Sequence, residues 1–138
     1  MHRRSAASRA VAPILLAACA GVALAAEAQT LRGRYHWDQR GVAGPVEAVF
    51  TPTGKGTWDV IFRVEFEGRG LRFEGTARGD LTSGKLRGRV QDSGKSRAFS
   101  FRGTVEDGRF RGIHSEVRDA SRNQTGRLVL ERPPDPAS

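Results

Sequence analysis

The residues best equipped for chemistry are Arg97, His114 and Glu116, in the last third of the 138-residue chain. His114-Ser115-Glu116 sets an imidazole near a carboxylate, a pairing that acid–base or nucleophilic catalysis uses. On a strand, side chains alternate faces with a period of two, so His114 and Glu116 share a face and Ser115 turns away. No nucleophile is left beside the histidine, and a serine triad is not indicated. Once an N-terminal export segment is removed, only His36 and His114 remain, and the same parity sends His36 outward. One histidine beside one glutamate falls short of a zinc ligand set. No glycine-rich stretch opens onto a helix, so there is no phosphate loop and no cofactor is indicated. The pattern reads as a binding or structural module and not as an enzyme.

What must position these residues is a set of strands. Phe99 to Glu116 holds two alternating runs that meet at Asp107-Gly108, the dipeptide type that supplies the positive φ angles of a two-residue hairpin. Pairing Glu106 with Arg109 then sets Val105 opposite Phe110, Gly103 opposite Gly112, Phe101 opposite His114 and Phe99 opposite Glu116. That face is apolar or glycine up to its far end, while Arg102, Thr104, Glu106, Arg109 and Arg111 lie on the other.

The same alternation, bounded by Gly, Asp, Ser and Pro, predicts eight strands: 31–37, 46–51, 57–67, 70–78, 85–91, 97–106, 109–116 and 125–131. A turn at Gly68-Arg69 would set Phe66 opposite Leu71 and align Glu65 with Arg72, Arg63 with Glu74 and Asp59 with Arg78. A turn at Ser93-Gly94 would set Val90 opposite Arg97 and Gly88 under Phe99. Glycines 33, 75, 88, 103, 112 and 126 all fall on the inward side, as the bends of a small coiled barrel require.

The expected fold is therefore all-β, an eight-stranded antiparallel meander closed or nearly closed into a small soluble barrel. Its interior is apolar and its exterior charged, the reverse of a membrane barrel. In architecture alone this resembles the avidin and lipocalin type of barrel, and such a likeness transfers no function.

Following the meander places Trp37, Arg97, His114 and Glu116 at one mouth, together with the longest expected connections, 38–45 and 117–124. Phe50, Trp58, Val105, Phe110 and Leu130 should plug the other mouth. The candidate ligand site is thus Tyr35 and Trp37 as stacking surface, with Arg97, His114 and Glu116 as orienting groups. The competing arrangement is an internal Arg97–Glu116 salt bridge with His114 hydrogen-bonded nearby, closing the barrel end.

On the outer face the registers line up Arg78, Lys85, Arg102, Ile113 and Arg127, with Arg87, Arg89 and Arg111 beside them. Such a stripe suits an anionic envelope polymer or lipid headgroups. The competing arrangement is a solvated face in which Asp59 beside Arg78 and Glu74 beside Arg89 neutralise part of the charge. Outward aromatics are missing, so no nucleic acid is expected.

Residues 1–28 read as a signal helix for export. Arg3, Arg4 and Arg9 precede an apolar run from Ala10 to Ala26, and Ala26-Glu27-Ala28 is an A-x-A cleavage site. Leu16-Ala17-Ala18-Cys19 also resembles a bacterial lipoprotein signal, but apolar residues continue through Val22 and Leu24 where a polar tether would stand. Ordinary cleavage to a periplasmic or secreted protein therefore comes first, and anchoring through Cys19 second. Cleavage takes three of the 23 Lys+Arg and one of the 15 Asp+Glu, so the mature chain stays basic. It would hold no cysteine, no disulfide and no transmembrane segment. What remains is one barrel domain over 29–131, with a proline-rich disordered tail over 132–138.

Overall fold

The computed structural model describes residues 27–94, 96–118 and 121–133. The export segment up to Ala26, Cys19 within it, and the tail from Pro134 lie outside the described residues. Arg132 and Pro133 have already left the sheet.

Eight antiparallel strands run in chain order: β1 (Gln29–Trp37), β2 (Val42–Gly54), β3 (Thr57–Phe66), β4 (Arg69–Gly79), β5 (Gly84–Asp92), β6 (Ala98–Glu106), β7 (Arg109–Arg118) and β8 (Ser121–Glu131). Each pairs with the next, and β8 returns to pair with β1, from Arg32 opposite Glu131 to Trp37 opposite Gly126. Closure leaves no free sheet edge. Alternate residues bury a core that includes Phe50, Phe62, Phe73, Phe101, Phe110 and Leu130, while arginines 32, 34, 63, 87, 102 and 111 are exposed.

The Asp107-Gly108 hairpin forms with φ of 52° and 75°, and every pair expected along β6 and β7 is present. At the β3–β4 turn the sequence expectation is corrected. Glu67 and Gly68 take the left-handed angles, φ 51° and 77°, so Phe66 faces Arg69 and Val64 faces Leu71. A two-residue loop of an acidic residue and glycine recurs here, shifted one residue from the expected Gly68-Arg69. All partners move by two, which preserves the inward faces but removes the expected pairs of Glu65 with Arg72, Arg63 with Glu74 and Asp59 with Arg78. Arg63 instead reaches Glu47 at 3.3 Å, and Arg72 pairs with Glu74 on its own strand.

A second shift occurs after β5. The Asp92 carboxylate accepts from the Ser96 backbone at 2.8 Å and the Arg97 backbone at 3.2 Å, so the loop is longer than two residues. Val90 consequently faces Phe99, and it is Phe101 that covers Gly88. The connections at the first mouth are also shorter than expected. β2 extends back to Val42, leaving a turn at 38–41, and β7 and β8 pair as far as Arg118 and Ser121. Pro45, which signalled a loop, sits past the last β2–β3 pair at Val46 and Val64, where its missing N–H is tolerated.

The opposite mouth is sealed by fully buried Phe50, Phe110 and Leu130, with Val105 and Leu81 buried beside them. Trp58 is half-buried there, its indole N–H donating to the Gly79 carbonyl at 2.9 Å.

Glu67 holds a backbone conformation that a branched-free but bulky L side chain adopts at a cost, whereas asparagine tolerates it. Glu67→Asn should raise stability by part of the roughly 1–2 kcal/mol that the left-handed conformation costs an ordinary L residue, measured as a higher urea midpoint with an unchanged β-sheet circular dichroism spectrum.

Candidate functional site

The open mouth is built from strand ends. Trp37 closes β1, Phe66 closes β3, Phe99 is the second residue of β6, and His114 and Glu116 approach the end of β7. Their rings pack against one another: Trp37 lies 5.7 Å from Phe66 and 5.9 Å from Phe99, and Phe73 lies 5.5 Å from Phe99. These are ordinary separations for tilted and edge-to-face pairs.

Two guanidinium groups cap the aromatic cluster. Arg97 sits 4.9 Å from the Trp37 ring centre and 5.5 Å from that of Phe99. Arg40 sits 5.2 Å from Trp37 and 5.7 Å from Phe66. Cations over ring faces at such distances are attracted by the ring quadrupole. Arg97 also donates through Nε to Glu116 Oε2 at 3.0 Å, the salt bridge of the competing arrangement in which the barrel end is closed from within.

His114 is buried, and both ring nitrogens are engaged. Nε2 lies 2.9 Å from the His36 carbonyl and Nδ1 contacts the Thr125 hydroxyl. In the neutral ring, Nε2–H donates to the carbonyl, and the one Thr125 hydroxyl proton is shared between Nδ1 and the His114 carbonyl at 3.1 Å. Burial pushes the imidazole pKa below its ordinary value, against the opposing pull of that carbonyl. The Tyr35 hydroxyl is likewise engaged, donating to the Glu65 carbonyl at 2.7 Å, and burial raises its pKa.

Beneath the rim lies an apolar hollow of about 80 Å³ that opens to solvent, lined by Phe62, Phe66, Phe73, Val90, Phe99 and Leu128 among others. Tyr35, Trp37, Arg97 and His114 also border it, and Glu116 reaches it through Arg97. All five residues singled out in the sequence thus converge on one mouth. Sequence reasoning missed Arg40 and Thr125. Arg40 lies on the turn, where strand parity gives no direction; Thr125 meets His114 beside a β-bulge at His114 and Ser115. Among the described residues, no cluster of three or more His, Cys, Asp or Glu side chains could hold a metal ion. No described helix is long and apolar enough to cross a membrane.

On the outer face the expected stripe is rearranged. Arg78 faces Arg87, Arg87 faces Arg102, Arg102 faces Ile113 and Ile113 faces Arg127. Arg87 therefore takes the place expected for Lys85, which faces Thr104, itself opposite Arg111. The expected neutralisation is also corrected: Asp59 faces Thr76 because of the β3–β4 shift, and Glu74 faces Gln91 because the β4–β5 register, which pairs Arg78 with Arg87, also lies two residues from the expected one. Arg127 leaves the stripe energetically, paired with Asp38 at 3.0 Å.

Comparison with protein-family models, curated proteins and solved structures finds no match to this chain.

The lowered pKa of His114 fixes a sign. An unfolded histidine takes up a proton near pH 6.5, whereas folded His114 resists it, so its contribution is full above that pH and is lost as pH falls below it. Asp38, Asp80 and Asp92, held low by hydrogen bonds from Arg127, Thr82 and Ser96, add their losses only in more acid solution. The urea midpoint should fall between pH 7 and 5, and His114→Gln should flatten that slope.

Proposed function

We propose that this chain is an exported, non-enzymatic binding module of the bacterial envelope, periplasmic or secreted after cleavage of residues 1–28. The observation that carries this reading is the apolar hollow of about 80 Å³ beneath the Arg40 and Arg97 guanidiniums. A largely apolar concavity with a few convergent polar groups is the ordinary form of a ligand site.

Its size limits the ligand. An apolar cavity of about 150 Å³ admits benzene, so this hollow suits the end of a short alkyl chain. Arg40 favours an acidic group at the rim, and so do the terminal nitrogens of Arg97, whose Nε is held by Glu116, because guanidinium groups bind carboxylates and other oxyanions well. The ligand class is a small anionic amphiphile, tail inward and charge outward. His114 and Tyr35 serve as walls, since their polar atoms are already bonded.

The test is a titration with linear carboxylates from butyrate to decanoate, followed by NMR shifts at Trp37 and Phe99. Each methylene entering the hollow contributes about 0.8 kcal/mol, or roughly fourfold in affinity, until the space is full. Val90→Leu, one carbon larger, should move that plateau one methylene earlier. Affinity independent of chain length would refute the reading.

A further inference from the structure

A row of like charges crosses β4, β5 and β6. Arg78, Arg87 and Arg102 lie directly opposite one another on adjacent strands, and all three are exposed. Strands are about 4.8 Å apart, so three guanidiniums rise from a band about 10 Å long. Directly opposed like charges are unfavourable in a sheet.

Several other exposed arginines have a carboxylate partner, though among the described residues Arg34, Arg69, Arg89 and Arg111 do not. Arg32 and Arg63 share Glu47, Arg72 has Glu74, Arg109 has Glu131 and Arg127 has Asp38. Among the described residues, none of Arg78, Arg87 and Arg102 reaches a carboxylate. Lys85 and Arg89 flank Arg87 on the same face, and Arg111 lies beyond Thr104. Thr76, Ser100 and Thr104 add hydroxyl donors between the cations.

The surroundings select among anions. Every aromatic residue of the chain packs into or against the core, leaving none on this face. Bases therefore have no stacking platform, and a bilayer has no aromatic anchor. Guanidinium forks are suited to the paired oxygens of phosphate and sulfate groups.

We propose that the outer face of β4–β6 binds a linear polyanion bearing repeated phosphate or sulfate groups, with Arg78, Arg87 and Arg102 as its central contacts. This surface is independent of the mouth: the polymer offsets a repulsion that the free protein carries across its sheet.

The test uses the full chain, with heparin as the sulfate probe and long-chain inorganic polyphosphate as the phosphate probe, at 20 to 200 mM NaCl. Binding should be saturable for at least one polymer, and the tighter of the two names the oxyanion. The logarithm of affinity should fall linearly with that of salt concentration. Arg87→Gln should weaken binding at least tenfold and lower the salt slope by about one. Without polymer, the same variant should have a urea midpoint equal to or above that of the wild type. Arg34→Gln, on β1 away from the row, should change affinity less than threefold. Octanoate should not compete, which separates this surface from the mouth. Equal loss in Arg34→Gln and Arg87→Gln, a lower polymer-free midpoint in Arg87→Gln, or tighter binding to single-stranded DNA or anionic vesicles would overturn the proposal.

Discussion

The structure depends on the closure of β8 against β1. Gly126 faces both Trp37 and His114, and a Cβ there would lie 1.6 Å from the His36 carbonyl oxygen. Only glycine permits that approach, and the approach lets the His36 carbonyl accept from His114. Closure, the burial of His114 and the seating of Trp37 at the rim are thus one geometric event. An eight-stranded barrel has an interior just wide enough for side chains to fill. The phenylalanines fill the lower part, and the residual hollow is confined to the mouth.

Side-chain parity carried most of the fold from the sequence. A register error of two residues keeps every side chain on its face, so the apolar interior and the five convergent rim residues were legible although three registers, β3–β4, β4–β5 and β5–β6, lie two residues from the expected ones. What parity cannot supply is the identity of cross-strand neighbours, which depends on loop length. At Glu67-Gly68 a glutamate takes an angle more typical of asparagine or aspartate, and at Asp92 a side chain organises a longer loop. Both depend on local hydrogen bonding and backbone strain that an alternation pattern does not encode.

The same distinction governs the two candidate sites. Convergence at the mouth needed only parity and was read correctly, while Arg40, on a turn, had no parity to read. The outer row needed the register itself. With the expected registers, Asp59 and Glu74 would have neutralised the stripe; with the observed ones, both move away and Arg87 enters between Arg78 and Arg102. Two-residue shifts at successive strand pairs, which leave the core unchanged, therefore convert a partly compensated surface into an uncompensated one.

This asymmetry between core and surface bears on where recognition chemistry can sit. Enlarging the interior to hold a bulky ligand would mean removing phenylalanines at about 3–5 kcal/mol each, from a total stability of about 5–15 kcal/mol. The barrel domain contains no cysteine and so no disulfide to offset such a loss. Opposed charges in water interact far more weakly, at about 1 kcal/mol for unit charges 4 Å apart, and salt screens them further. A row of exposed arginines is thus a small perturbation to a domain of this kind, whereas a large cavity is not. Guanidinium groups at the rim and on the outer sheet add positive charge to the filled barrel while leaving its core intact.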